Sequence, residues 1–90
     1  MEDSQIINLY LKRSEKAIEE SKIKYGGYLN QIAYNILRDS RDAEEVVMDT
    51  FLGAWNAIPP TKPNSLKHYL SRIARNLSYN RLEYNLAGKR

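Results

Sequence analysis

Basic, amide and aromatic side chains gather on one flank of a helix predicted near the end of the chain. At about 100° per residue, that flank collects His68, Tyr69, Arg72, Arg75, Asn76 and Tyr79. Cationic groups bind phosphates, amide and guanidinium groups can read base edges, and tyrosine rings can stack on an unpaired base. This mixture indicates a nucleic-acid surface, although a solvated basic helix with incidental tyrosines fits the pattern equally well.

A second set of side chains is acidic and aromatic and belongs to an earlier helix. Large apolar residues share one side of that helix: Met48, Phe51, Leu52 and Trp55. An acidic block opposed only by Arg41 accompanies them: Asp39, Asp42, Glu44, Glu45 and Asp49. Aromatic anchors within a charged rim are typical of a protein interface that meets a basic surface. The alternative is that Phe51 and Trp55 fold under the first helix as core.

Charge divides the chain between these two sets. Residues 1–58 hold seven Lys/Arg against ten Asp/Glu, whereas residues 59–90 hold seven Lys/Arg against Glu83 alone. Such a division within a net charge of +3 suggests two partners of opposite charge. Two solvated helix faces would give the same pattern, so charge alone leaves both interpretations open.

Composition argues against several other classes of function. A chain of 90 residues buries only about 60% of its unfolded surface, so function is expected on an outer face. With no cysteine and one histidine, His68, we expect no metal and no cofactor. A nucleophile paired with a base and a phosphate-binding glycine loop are both missing, which argues against an enzyme. The sequence has no apolar run near ~18 residues and no signal-peptide pattern, so we expect a cytoplasmic protein without membrane contact.

Helices separated by one proline-rich loop must position both sets of residues. Four helices are predicted: a short one capped by Ser4, one capped by Ser14 that ends near Arg38, one from about Arg41 to Ile58 capped by Asp39 or Ser40, and one capped by Ser65 that runs to about Leu86. Pro59, Pro60 and Pro63 end the third helix. Gly26 and Gly27 each cost about 1 kcal/mol in a helix interior, so a bend, a break or a close approach by another backbone is open there.

Helical spacing also predicts the core and the fold class. The third helix carries a stripe of mostly small residues: Ala43, Val46, Val47, Thr50, Ala54 and Ala57. The stripe predicted for the fourth helix is Leu66, Leu70, Ile73, Leu77 and Tyr84. Because no alternating strand pattern occurs, we predict an all-α fold, a compact bundle of three to four helices.

Three stretches follow one another in a specific order: residues 33–39 (AYNILRD), 42–51 (DAEEVVMDTF) and 71–77 (SRIARNL). Together they resemble region 2 of the sigma-70-family transcription initiation factors. The extracytoplasmic-function (ECF) group is the most similar. The resemblance extends from about Ile6 to Leu86, nearly the whole chain.

The resemblance implies an all-helical domain with two binding surfaces. Its third helix would dock on the clamp-helix coiled coil of the RNA polymerase largest subunit through Glu45, Met48, Asp49, Phe51 and Trp55. The loop over residues 59–64 and the last helix would bind and help melt the promoter minus-ten element. With the polar flank and its neighbouring lysines, the expected DNA contacts are Lys62, Asn64, Lys67, His68, Tyr69, Arg72, Arg75 and Asn76. Arg81 is expected to add a phosphate contact.

The sequence departs from the family pattern in a few places. Met48 stands where glutamine is common, Tyr69 where tryptophan is common, and Asn80 where aspartate is common. Tyrosine can still stack on a base. An ECF factor would continue into a helix-turn-helix domain that reads the minus-thirty-five element, and no such segment follows Arg90 in this sequence, which fits either an excised domain or a naturally short protein. We therefore expect a single region 2-like domain over residues 1–90.

The function expected from these observations is that of a sigma factor domain, without enzymatic activity, that binds core RNA polymerase and recognises and helps melt the minus-ten element. The first alternative is an interaction module, such as a decoy that occupies the polymerase clamp or an anti-sigma factor without opening DNA. The second is a free-standing basic DNA-binding bundle. That class has no use for an acidic face bearing Phe51 and Trp55.

Overall fold

The computed structural model describes residues 1–88, which form four α-helices. These are α1 (Asp3–Leu11), α2 (Lys16–Leu37), α3 (Ser40–Ala57) and α4 (Leu66–Leu86). α2 packs against each of the other three helices, and α3 also packs against α4. Residues 1–88 contain no strand, and the predicted all-α bundle is confirmed. Residues 89 and 90, the end of the predicted domain, lie outside the described residues.

Side-chain caps determine where α3 and α4 begin, as the sequence predicts. The Asp42 N–H donates to Asp39 Oδ1 at 2.9 Å, and the His68 N–H donates to the Ser65 hydroxyl at 3.3 Å. Each bond satisfies a backbone N–H that has no partner within its own helix. The caps therefore fix the first turns of α3, which carries the acidic residues, and of α4, which carries the basic ones.

The predicted Ser4 cap of α1 is wrong. The helix begins at Asp3, and its N-cap residue is Glu2, whose N–H donates to Gln5 Oε1 at 3.0 Å. A Glu or Gln three residues after the N-cap can reach back in this way. Ser4 consequently lies inside the first turn and is not the residue before it.

α2 runs as one helix through Gly26 and Gly27, so the break that the glycine pair left open does not occur. A Cβ added at Gly27 would meet no atom of residues 1–88 within 4 Å, so no other backbone approaches there. Buried residues on both sides of the pair, such as Ser21 and Leu29, hold the helix together through tertiary packing.

Buried side chains form two core clusters. The larger joins α1 to the other helices and contains Ile6, Ile7, Tyr10, Ala17, Leu29, Phe51, Ala54, Ile58, Leu66, Leu70 and Ala74. The smaller contains Ala33, Leu37, Ala43 and Val46. The small-residue stripe of α3 is confirmed at Ala43, Val46, Thr50 and Ala54. The Thr50 hydroxyl, although buried, donates to the Val46 carbonyl oxygen at 2.8 Å.

α4 buries only part of the predicted stripe: Leu66 and Leu70 are buried, whereas Ile73 and Leu77 are half-buried. Its buried residues are Leu66, Leu70, Ser71, Ala74 and Ser78. Tyr84, predicted as core, is 50% exposed. The small side chains let α4 lie close to its neighbours, which places the buried stripe on the serine and alanine side and turns Tyr84 towards solvent. The Ser71 hydroxyl donates to the Lys67 carbonyl oxygen at 2.6 Å, so its burial leaves no unpaired group.

A polar cluster ties the start of α1 to α2. The Tyr25 hydroxyl contacts both carboxylate oxygens of Asp3, at 2.7 and 2.9 Å, and Lys24 Nζ lies 2.7 Å from Asp3 Oδ1. Burial and the hydrogen bond to Asp3 raise the pKa of Tyr25 to about 12. Burial acts to raise the pKa of Asp3, but the hydrogen bonds from Lys24 and Tyr25 outweigh it and lower that pKa below its usual value.

We expect this cluster to make stability depend on pH at both extremes. Because the folded pKa of Tyr25 lies above its ordinary value of 10.0, its contribution is complete below pH 10 and is lost as the pH rises towards about 12. The Asp3 carboxylate stabilises the fold fully at pH values above its ordinary pKa of 3.8. This stabilisation is lost as the pH falls through the lowered pKa of the folded protein. Denaturant titrations of the wild type and Tyr25→Phe should give stabilities that converge above pH 10. A difference that stays constant to about pH 12 would contradict this account.

Candidate nucleic-acid and protein interfaces

The predicted polar flank of α4 lies on the outside of the bundle. Two exposed polar residues of the preceding loop, Lys62 and Asn64, join its exposed members Lys67, His68, Arg72, Arg75, Asn76 and Tyr79. This set is called the α4 flank below. Within residues 1–88, none of its Lys and Arg side chains forms an ion pair with a carboxylate. The cations are therefore available for phosphates, which account for most of the affinity of a nucleic-acid surface.

Arg81, expected among the phosphate-binding cations, has carboxylate partners inside the protein. Its guanidinium donates to Asp42 at 2.8 Å and to Glu45 at 2.5 Å, and Asn85 donates to the other Asp42 oxygen at 2.9 Å. These contacts join α4 to α3. Arg81 is therefore a cross-link between helices, and the expectation that it is a free phosphate ligand is wrong.

Tyr69 and the loop before α4 are anchored to the core. Tyr69 is half-buried and packs against the larger core cluster, so its ring is held while part of it remains accessible. The loop is fixed at its two ends by Ile58 and Leu66, both fully buried. Between these anchors most of the loop is exposed. A restrained loop beside a held aromatic ring can form the walls of a pocket for an unstacked base.

Tyr28 of α2 adjoins the α4 flank, and the sequence reasoning missed it. Lys67 Nζ lies 4.9 Å from the centre of the Tyr28 ring, which is partly exposed. The position of Tyr28 around the helix could have indicated its exposure. Tyr25 falls on the apolar stripe of α2, whereas Tyr28 falls beside it, where an aromatic side chain has less reason to be buried.

Phe51 is the main correction to the predicted acidic and aromatic surface. Its side chain is 0% exposed and belongs to the same core cluster as Ile6 and Tyr10 of α1. The alternative interpretation, that this residue belongs to the core, is therefore confirmed for Phe51. Phe51 follows Thr50 of the buried stripe, and its long ring reaches the core from the edge of that stripe. It cannot contact a partner while the domain keeps this packing.

A groove between α2 and α3 offers the apolar surface that Phe51 does not. One part, of about 520 Å³, is lined by Glu15, Ile18, Glu19, Lys22, Leu52 and Trp55. An adjoining part, of about 320 Å³, is lined by Lys22, Gly26, Asn30, Glu44, Val47 and Met48 above the buried Phe51. We call the two parts together the α2–α3 groove. The floor of this groove is apolar, and carboxylates lie at its edge. The sequence reasoning missed the α2 half, because Glu15, Ile18 and Glu19 resemble an ordinary helix face.

The other predicted protein-binding residues lie on or beside the outer face of α3. Met48 and Leu52, one turn apart, are 42% and 45% exposed at the groove. Asp49 is exposed and, within the described chain, forms no ion pair, whereas Glu45 is exposed but already paired with Arg81. A partner lying along α3 could touch both the apolar pair and Asp49, while the charge of Glu45 is partly neutralised.

Trp55 is half-buried at the end of the groove and is held from two sides. The Tyr10 ring lies 6.5 Å away, centre to centre, at an interplanar angle of 53°. The Arg13 guanidinium stands 3.8 Å from the centre of the Trp55 ring, and its Nη1 donates to the carbonyl oxygens of Trp55 at 2.5 Å and Ile58 at 2.8 Å. The sequence reasoning did not identify Arg13, which no spacing pattern links to α3.

Two kinds of site are not found in the described part of the chain. No group of three or more His, Asp or Glu side chains among residues 1–88 is arranged to hold a metal ion. Of the helices described, none combines the length and the hydropathy that a membrane span requires.

Comparison with known proteins adds the family. The model of the Sigma-70 region 2 family matches residues 24–85, from the middle of α2 to the last turn of α4. The match includes all of α3, the proline loop and the α4 flank, and leaves α1 outside. No curated protein and no solved structure matches the chain. With well over half of its length matched, the chain belongs to the sigma-70 region 2 family, whose domains serve sigma factors in transcription initiation.

Proposed function

We propose that this domain binds core RNA polymerase through α3 and the α2–α3 groove and holds the melted minus-ten element of a promoter on the α4 flank. One observation carries the proposal. An apolar groove edged by carboxylates lies between α2 and α3, and a separate flank of unpaired cations lies on α4 and the loop before it. The two surfaces share no lining residue, so one small bundle carries both.

The chemistry of the groove fits a basic helical partner. Met48 and Leu52 offer exposed apolar surface, Trp55 closes one end, and Glu15, Glu19 and Glu44 supply negative charge at the edge. Apolar anchors surrounded by a charged rim favour specific docking and fast association with a surface of opposite charge. The resemblance to sigma factors supports the clamp helices of the RNA polymerase largest subunit as that partner.

The α4 flank fits a single strand better than a duplex. Stacking of a base on an aromatic ring contributes about 1 to 3 kcal/mol, and extruding a base from a duplex costs a few kcal/mol. Tyr69 can therefore hold a base that is already unstacked, but one domain cannot open a duplex by itself. Polymerase must supply the remaining free energy, so the two surfaces are useful only together.

Binding of single-stranded minus-ten-like oligonucleotides to the isolated chain should depend on salt. The cations Lys62, Lys67, Arg72 and Arg75 predict a slope of log K against log salt of about −3, at about −0.7 per phosphate on single strands. Arg75→Ala should weaken all sequences alike and make the slope shallower by about 0.7. Tyr69→Leu should weaken binding by about 1 to 3 kcal/mol and leave the slope unchanged, because the lost ring carries no charge.

Arg41→Ala is the matched control for this titration, since Arg41 is an exposed arginine outside the α4 flank. It should change neither affinity nor slope. A flat salt response of the wild type, or equal affinity for a random duplex, would exclude the DNA-binding half of the proposal. Tight polymerase binding without any oligonucleotide binding would instead favour the decoy alternative, in which the groove occupies the clamp or binds an anti-sigma factor.

A further inference from the structure

Two arginines, Arg13 and Arg38, adopt the left-handed backbone conformation, with φ of 60° and 56°. They are the non-glycine residues of the described chain that do so. Both follow the end of a helix, where glycine is the usual residue because a Cβ makes this conformation unfavourable. Arg38 ends α2, and its side chain forms no hydrogen bond or ion pair in residues 1–88. Arg13 differs because its side chain crosses to the end of α3.

The lack of an N–H in Pro59 explains why the Arg13 side chain bonds to the end of α3. In a continuing helix, the Trp55 carbonyl oxygen would accept a bond from the N–H of residue 59, and Pro59 has none. Arg13 Nη1 supplies that missing donor at 2.5 Å and also donates to the Ile58 carbonyl oxygen at 2.8 Å. Ile58 is the residue from which the proline loop departs.

The same guanidinium stacks on the Trp55 indole at 3.8 Å. One side chain from the turn between α1 and α2 therefore holds the ring that closes the α2–α3 groove and the backbone that begins the loop. Arg13 lies outside residues 24–85, so the family match does not include it.

We propose that Arg13 is a positioning residue that sets both the Trp55 ring for polymerase docking and the proline loop for base recognition. The inference rests on the proposed function of those two surfaces. Arg13 itself need not touch either partner, because it acts through Trp55 and Ile58. Its loss should therefore disturb two separate binding properties at once, which loss of a single contact residue would not do.

Arg13→Gly and Arg38→Gly form a matched pair for the test. Both replacements suit the left-handed backbone, but only the first removes contacts with α3. We expect Arg13→Gly to remain folded, to lower affinity for core polymerase about 10-fold or more, and to flatten base preference at the minus-ten positions without changing the salt slope. Arg38→Gly should match the wild type in folding, polymerase affinity, base preference and salt slope. Arg13→Lys, which keeps the charge but not the planar stack, should fall between them.

Fluorescence of Trp55, the single tryptophan of the chain, gives a readout independent of any partner. Acrylamide quenching should increase in Arg13→Gly and stay at the wild-type value in Arg38→Gly. If the wild type binds neither polymerase nor oligonucleotide, the proposed function fails, while quenching still tests the positioning of Trp55. The contradicting result is a wild type that binds both polymerase and oligonucleotide and a folded Arg13→Gly or Arg13→Lys that equals it in binding and in acrylamide quenching of Trp55. In that case Arg13 has no positioning role.

Discussion

Phe51→Ala is expected to reduce the free energy of unfolding by about 3 to 5 kcal/mol, a large part of the total stability of a small domain. The ring is fully buried in the core cluster that joins α1 to α2, α3 and α4. Removing it deletes apolar contacts and leaves a cavity that the surrounding helices can only partly fill. Thermal and denaturant unfolding followed by circular dichroism measure the loss.

Leu52→Ala is the matched control, because it truncates the next side chain in the sequence, which is 45% exposed at the α2–α3 groove. Its cost in stability should be below about 1 kcal/mol, while polymerase affinity should fall. The pair separates a core residue from a surface residue. A Phe51→Ala protein that is as stable as the wild type but fails to bind polymerase would mean that Phe51 is exposed in solution, as the pattern of large apolar residues alone suggested.

The second large effect is expected on polymerase affinity when a cation is introduced on the outer face of α3. Asp49→Lys and Leu52→Lys each place a cation against a basic partner, and each should weaken binding by about 2 kcal/mol, or about 30-fold. Neither residue is buried, so the fold should be kept. Trp55→Ala is a less suitable variant, because that ring also packs against Tyr10 and Arg13.

Glu83→Lys provides the control for this charge reversal. Glu83 is exposed on α4, on another helix from the proposed polymerase surface, so the same change of charge there should leave polymerase affinity unaltered. Affinity can be measured by titrating labelled domain with core enzyme at two salt concentrations. Equal losses for Asp49→Lys and Glu83→Lys would indicate a nonspecific effect of net charge and would exclude docking through α3.

The elements that local chemistry dictates could be predicted from the sequence. Asp39 and Ser65 cap α3 and α4 because their side chains satisfy N–H groups of their own first turns. The prolines end α3 for a reason that is equally local. The exposed members of the α4 flank follow from helical phase, since the polar residues at that phase have no apolar neighbour to cover them.

What could not be predicted depends on which helix lies over which face. Phe51 and Leu52 are adjacent apolar residues of similar appearance in the sequence, and only the packing of the other helices around α3 buries the first and leaves the second exposed. Helical spacing places Tyr84 on the same stripe as Leu70 and Leu77, and spacing alone does not show that the neighbouring serines are buried in its place. Close packing of α4 instead favours the small side chains at the interface.

Contacts between residues far apart in the chain could not be predicted from the sequence either. Arg81 looks like a free cation until Asp42 and Glu45 of α3 are brought beside it. Arg13 looks like an ordinary loop residue until the carbonyl oxygen left unpaired by Pro59 lies within its reach. Both arginines belong to contacts between helices that are separated by tens of residues, and no local spacing rule reports such contacts.

In the function proposed here, one small domain joins core RNA polymerase to single-stranded minus-ten DNA. The most direct measurement is the fluorescence anisotropy of a labelled single-stranded oligonucleotide series, varied one base at a time, with core polymerase alone, with the chain alone and with both. We expect weak binding by the chain alone and, with both present, tight binding that depends on the bases at the minus-ten positions. If the chain binds polymerase but adds neither affinity nor base preference for the oligonucleotide, the claim is contradicted.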